Sequence, residues 1–385
     1  MYNIHNHYQN IFDYLKTIIA QPKIAYLYPF GASAAENIEV LDTPNSYDID
    51  PVVLCYDQEP LLHGYNDPVF ERVKNELTVG GRRPVILLNT ELDSEEKNHY
   101  LEKYGFIDAY CFFHIFAAHD WYRGYQYNKS IKPVRDRAVK KAYISFNRLT
   151  GSARIYRSML VAELSKNDIL SRGHVSYSDI CPDHGPYKDN LLAGIERYNL
   201  PADYVTSTIA ELDRMKFPLR IDFKNDEYIP NHSMALSAIP ECMESFIYVV
   251  TETCYWEKKK HLTEKIFKPI ILKQPFVLLG CAHNLEYLRS YGFKTFGDFW
   301  DESYDTIEDP VQRLQAVVEI LKKFSQLTNG ELTYMLHEMQ EILEYNYNLF
   351  NSKEFLDNAW AELENNLAAA IKACPSVFSP ISSRV

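Results

Sequence analysis

Short apolar runs alternate along this chain with longer polar stretches that keep a helical spacing. Residues 8–20, YQNIFDYLKTIIA, place Ile11, Tyr14, Leu15 and Ile18 on one face, which predicts an amphipathic helix. Apolar runs follow: IAYLY, ending at Pro29-Phe30-Gly31, then VVLCY (52–56), VILLN (85–89) and AYCFF (109–113). The segments between them are polar and helix-compatible, so the order predicts a mostly parallel sheet flanked by helices. Residues 131–141, IKPVRDRAVKK, are poor in apolar side chains and rich in basic ones, and read as a linker. A second series starts at AYISF (142–146) and continues through FIYVVTE (246–252) and PFVLLG (275–280). From Asp309 to Ala373 the spacing is helical with few breakers, and Phe355 to Ala370 predicts one long helix.

The expected class is therefore α/β. The expected domains are an N-terminal Rossmann-like unit over 1–138, a C-terminal Rossmann-like unit over 139–350, and a helical tail over 351–385. Ligands in such sheets bind outside the carboxyl ends of the strands, so a cleft between the two domains is the expected site.

Composition narrows the function classes. The chain has 385 residues, 46% hydrophobic and 24% charged, as globular chains do. Its most apolar stretch, Ile266 to Gly280, is interrupted by Lys268, Pro269, Lys273, Gln274 and Pro275, so no membrane span is expected. MYNIHNHYQN lacks a basic start and an apolar core, so a cytoplasmic enzyme is expected. The seven cysteines are scattered and never paired as CxxC, which argues against a disulfide framework or a zinc site; Cys181-Pro182-Asp183-His184 supplies at most half of one. Forty basic against 52 acidic residues give a net charge of −12, which disfavours general affinity for nucleic acid. Tyrosine is frequent, with 29 residues, and its apolar face and polar tip suit both cores and sugar contacts.

Two stretches carry candidate chemistry for an anion. In SFNRLTGSARIYR (145–157), a strand ends at Phe146 and a polar loop from Asn147 to Ser152 opens a helix, with Ser152 the expected N-cap. A helix N-terminus favours an anion, and Arg148 and Arg154 have the fork geometry that suits phosphate oxygens. Arg154 paired with Glu163, or facing solvent, is the alternative. In the second stretch, FIYVV leads to Glu252-Thr253, and His261-Leu262-Thr263-Glu264-Lys265 follows, with Thr263 a good N-cap. Glu264 and Lys265 then face the crevice at the strand end, where a carboxylate accepts from sugar hydroxyls and an ammonium neutralises a diphosphate. A capped surface helix with a solvated lysine is the alternative. Pro269 should end or kink this helix.

A third stretch, VVLCYDQEPLLHG (52–64), ends a strand at Tyr56 and opens into Asp57-Gln58-Glu59-Pro60, where a carboxylate could act as general base. A turn acid before Pro60 is the alternative. A fourth, FFHIFAAHDWYRGYQY (112–127), gathers His119, Asp120 and Trp121, which could line an acceptor pocket; His119 could also serve as base or be a structural core residue. Gly80-Gly81-Arg82-Arg83 precedes a strand and reads as a turn, not a phosphate loop.

Taken together, Phe146-Asn147…Ala153-Arg154, Glu252-Thr253, His261-Leu262-Thr263-Glu264-Lys265 and Pro275-Phe276-Val277-Leu278-Leu279-Gly280 resemble the fucosyltransferases of glycosyltransferase family ten and their phage-encoded relatives. The resemblance spans roughly residues 142–300. It implies a GT-B fold, inversion at the anomeric carbon and no required metal or other cofactor. It also implies that Arg154 and Lys265 hold the diphosphate of a nucleotide sugar, that Glu264 contacts ribose or sugar, and that Glu252 contacts the sugar or orders the pocket. Glu59-Pro60 resembles the family's catalytic glutamate segment, which makes Glu59 the expected base and Asp57 the second choice. Thr253 stands where the family has Asn and His261 where it has Tyr, both at donor-reading positions. The expected partners are a nucleotide sugar and a carbohydrate or small-molecule acceptor. One alternative acceptor is hydroxymethylated DNA, motivated by the phage relatives and by Lys132, Arg135, Arg137, Lys140 and Lys141. Another alternative is a sugar-nucleotide-binding protein without catalysis.

Overall fold

In a computed structural model of the chain, residues 2–27, 38–43, 50–78, 83–221 and 234–374 are described. The expected turn at Gly80-Gly81-Arg82 and the strand end at Pro29-Phe30-Gly31 lie outside them. The described residues form a mixed α/β structure with fourteen α-helices and mainly parallel sheets. By contact density the chain divides into two compact units, Met1–Asp120 with Lys353–Val385, and Trp121–Ser352. The expected boundary at residue 138 falls inside the second of these. The helix of the expected tail packs within the first.

The first unit holds α1 (His7–Ile18), β1 (Lys23–Leu27), β2 (Ile38–Asp42), β3 (Val52–Tyr56), α2 (Asp67–Arg72), β4 (Val85–Asn89), α3 (Glu95–Tyr104) and β5 (Ile107–Tyr110). Its sheet runs β2-β1-β3-β4-β5, parallel except for the antiparallel edge strand β2. Every residue of β3 and β4 is buried, as expected of strands covered on both faces. One face packs Val52, Leu54, Val85 and Leu87 against Phe70, Tyr100 and Tyr104 from the helices. In α1 the buried face is Tyr8, Ile11, Phe12 and Leu15. Ile18, expected on that face, is 43% exposed at the helix end. AYCFF is strand only to Tyr110, because Phe113 opens α4 (Phe113–Tyr122), from which the chain passes into the second unit.

The second unit contains β6 (Lys141–Asn147), α5 (Tyr156–Lys166), β7 (Gly173–Tyr177), the short hairpin of β8 (Ile180–Cys181) and β9 (Gly185–Pro186), α6 (Tyr187–Arg197), α7 (Ala202–Leu212), α8 (Ile239–Met243), β10 (Ser245–Thr251), α9 (Phe267–Ile271), β11 (Phe276–Leu279) and α10 (Asn284–Ser290). Helices α11 (Pro310–Gln326), α12 (Asn329–Glu338) and α13 (Gln340–Asn351) complete it. The sheet runs β11-β10-β6-β7, all parallel. The chain leaves β6 for β7 on one side and returns to β10 on the other, so strand order reverses between β6 and β10. That reversal opens a crevice at the carboxyl ends of these two strands.

The segment read as a linker is anchored to this unit. Arg137 is buried, and its guanidinium donates to the carbonyls of Lys132, Leu272 and Lys273. Burial lowers its pKa to about 10. Lys140 pairs with Glu244, and Lys141 Nζ donates to the Ser171 carbonyl. Arg135 pairs with its neighbour Asp136, so four of the five basic residues that motivated a DNA acceptor have partners within the fold. The last helix, α14 (Lys353–Ala373), belongs to the first unit, where it packs on β5 and β4. Asn366 Nδ2 donates to the Tyr110 carbonyl, and Tyr14 donates to the Glu364 carbonyl. No helix of the described residues is long and apolar enough to cross a membrane.

Candidate functional site

At the crevice where strand order reverses lies a pocket of about 250 Å³. Phe146 of β6, Ser176 of β7 and Val250 of β10 come into line through the strand register, and Tyr248 lies two residues back on the same face. Around this floor stand Arg148, Arg154, Arg157, Glu264 and Lys265. Residues more than a hundred positions apart in sequence thus share one site.

The Asn147–Ser152 loop positions the first two arginines. Gly151 is required there by close approach: a Cβ would stand 2.3 Å from the Cβ of His184 on the β8–β9 hairpin. Ser152 differs from its expected role. It sits at φ +51 in a 3₁₀ turn over Ser152–Arg154, its Oγ accepts from Arg197, and α5 begins only at Tyr156 without a side-chain cap. Arg154 consequently lies in the turn before the helix. Arg148 is exposed and Arg154 half-buried, and neither guanidinium has a hydrogen-bond or ion-pair partner among the described residues. Glu163 pairs with Lys166, not with Arg154. Asn147 is buried; its Nδ2 donates to Ser145 Oγ, and its Oδ1 has no partner among the described residues.

The second half of the pocket hangs on a buried carboxylate. Glu252 is fully buried just past β10 and accepts from Thr263 Oγ1 at 2.5 Å, from Thr263 N and from Thr253 N. It thereby closes the excursion between Glu252 and Thr263. Burial raises its pKa, while Lys265 pulls in the opposite direction. Thr263 is the N-cap, accepting from Lys265 N, and a 3₁₀ turn over Glu264–Ile266 leads into α9. Pro269 falls in the first turn of α9, a position that tolerates it, and the helix ends at Ile271. Lys265 Nζ is held between Thr253 Oγ1, Thr263 Oγ1 and Glu264 Oε1, at 3.1, 3.1 and 3.2 Å. Glu264 is 5% exposed and Lys265 partly exposed, so the ion pair stands at the pocket wall with its cation outward.

His261 is fully buried. Its backbone is held at both polar atoms by the Asn284 side chain. Gly280, the last residue of the Pro-Phe-Val-Leu-Leu-Gly run, packs against the same cluster: a Cβ there would meet Asn284 Nδ2 at 2.8 Å and Glu252 Cβ at 3.4 Å.

Arg157 is a site residue that the sequence reading missed. It is 4% exposed, and its guanidinium donates to the Leu149, Thr251 and Glu252 carbonyls. It braces the arginine loop against the end of β10. Its place at the start of a helix, three residues after Arg154, was visible in sequence, but its carbonyl partners were not.

The remaining candidates lie elsewhere. Asp57 is fully buried in the first unit and accepts from Tyr8 Oη and His7 Nε2. Glu59 is exposed just past it, on a loop anchored by Leu61 N donating to the buried Glu91 carboxylate at 2.7 Å. His119, Asp120 and Trp121 are partly buried at the end of α4. Cys181 and His184 join no group of three metal-ligating side chains among the described residues.

No protein-family model matches this chain, and no curated protein matches it in sequence.

Proposed function

We propose that this pocket binds a nucleoside diphosphate sugar and that the chain transfers the sugar to a hydroxyl of a glycan or small-molecule acceptor. The observation that carries the reading is the pair of guanidiniums, Arg148 and Arg154, which have no partner among the described residues and line one pocket with Lys265 at a strand-order reversal. Two forked cations beside an ammonium, with no anion paired to them among the described residues, suit a diphosphate. The site residues suggest how the steps divide. Lys265 and Arg154 stabilise charge developing on the leaving diphosphate. Glu264 accepts from donor hydroxyls, and Glu252 fixes Thr263 and, through it, Lys265. The reading carries the family-ten likeness with it: a GT-B arrangement, Glu59 as general base, inversion and no metal in the transfer step.

Thermal stabilisation by a panel of nucleotides and nucleotide sugars, with and without EDTA, tests it. A ligand at a hundredfold excess over its Kd stabilises the fold by about 3 kcal/mol. One nucleoside diphosphate sugar should raise the melting temperature by an increment that EDTA does not change and that Arg154→Ala abolishes. No shift with any member of the panel would refute the reading. Loss of transfer in Glu59→Gln with the shift intact would assign the base, and unchanged turnover would remove Glu59 from the mechanism.

A further inference from the structure

The scattered cysteines gave no sign of a metal centre, yet the fold gathers three ligand types at the carboxyl edge of the first sheet. His7 opens α1, Asp57 follows β3 and Cys111 follows β5. Their donor atoms lie within 4.8 Å of one another, the only such group among the described residues. His7 Nε2 stands 3.3 Å from Asp57 Oδ2. A tetrahedral zinc ion with ordinary bond lengths sets its ligand atoms about 3.3–3.8 Å apart, so this edge already has the required length.

The surroundings fit an ion better than an isolated ion pair. All three residues are at most 1% exposed. Around His7 lie the rings of Phe113, Phe116, Tyr8 and Trp360. Within that apolar shell Asp57 has one basic partner among the described residues, His7, and a buried carboxylate so placed is costly. A divalent ion bound by one carboxylate and one thiolate leaves no net charge. The outer contacts are those that ligands need. The far ring nitrogen of His7, Nδ1, bonds the Tyr2 hydroxyl, and the second oxygen of Asp57 accepts from Tyr8 Oη at 2.8 Å.

We propose that His7 Nε2, Asp57 Oδ2 and Cys111 Sγ bind one divalent transition-metal ion of the zinc class, which pins α1 to the ends of β3 and β5. Binding releases the Cys111 thiol proton to solvent and changes no oxidation state. The ion is structural and belongs to the first unit, whereas the pocket read as the nucleotide site belongs to the second, so this inference and the transferase reading stand or fall separately.

The test is metal analysis of tag-free protein purified without chelator, then stripped and titrated with zinc chloride. About one zinc per chain is expected, with a melting temperature that falls on stripping and recovers on titration. Cobalt reconstitution should give a thiolate-to-cobalt charge-transfer band in the wild type and none in Cys111→Ser. Should that variant fail to fold, the wild-type cobalt spectrum alone decides. Less than about a tenth of an equivalent after zinc titration, with no thermal shift, overturns the proposal.

Discussion

Replacing Arg157 by Met tests whether the pocket depends on a tertiary brace. The substitution keeps most of the volume and removes the guanidinium. Three bonds are lost: to the Leu149 carbonyl at 2.9 Å, the Thr251 carbonyl at 2.7 Å and the Glu252 carbonyl at 3.2 Å. The Glu252 carbonyl keeps a partner, because Tyr156 Oη donates to it at 2.5 Å. The Leu149 and Thr251 carbonyls therefore account for most of the loss. Bonds of that kind contribute roughly 1.5–3 kcal/mol each, and burial of the Met side chain returns part of the loss, so a net cost of about 3 kcal/mol is expected. For a unit of this size that lowers the melting temperature by about 6–12 °C, read by scanning calorimetry as the transition of the second unit. Arg157→Lys should recover part of the loss, since one ammonium reaches fewer carbonyls. Nucleotide stabilisation should weaken in both, because the loop bearing Arg148 and Arg154 loses its tie to β10. A Met variant melting within about 2 °C of wild type would refute the brace.

Lys265→Met should lower nucleotide affinity roughly 10–100-fold by titration calorimetry, and should lower the melting temperature as well, since the buried Glu252 and Glu264 carboxylates lose a neighbouring cation; unchanged affinity would take the ammonium out of the site. Gly151→Ala drives a Cβ into His184, so a loss of about 1–3 kcal/mol in urea unfolding is expected together with weaker nucleotide binding, and a neutral outcome would contradict the close approach. The α12 capping box lowers the Glu331 pKa through bonds from the Thr328 backbone and hydroxyl. Its stabilisation is therefore present above the ordinary value of 4.5 and lost as pH falls through the folded value. Glu331→Gln should flatten the melting-temperature profile in that window, and an unaltered profile would show that the cap contributes nothing.

The parts legible in sequence were those whose signal is local. Strands β3, β4, β6, β10 and β11 announce themselves as apolar runs because both sheet faces are covered. β7, GHVSY, has no such run, since only Val175, Ser176 and Tyr177 of it are buried. AYCFF was read too far because α4 is apolar nearly all round and shows no helical period at its start. Arg148, Arg154, Glu264 and Lys265, which line one pocket, could be singled out in sequence because each sits near a strand-to-helix junction with its own punctuation. Arg157 was missed because its three partners are main-chain carbonyls fixed by folding. His7, Asp57 and Cys111 were missed as a group because nothing in their spacing links a helix start to the ends of two strands.

The place of α14 has a consequence for how the protein is made. The first unit is assembled from the opening 120 residues and from the stretch after Ser352, with the whole second unit synthesised in between. On the ribosome the β4 and β5 side of its sheet has no α14 to pack on it until that helix emerges, while the second unit is contiguous and can close first. An interrupted translation product would carry a finished second unit and a first sheet whose apolar surface is still uncovered and prone to aggregation. Cellular quality control would meet the two halves of one chain in different states.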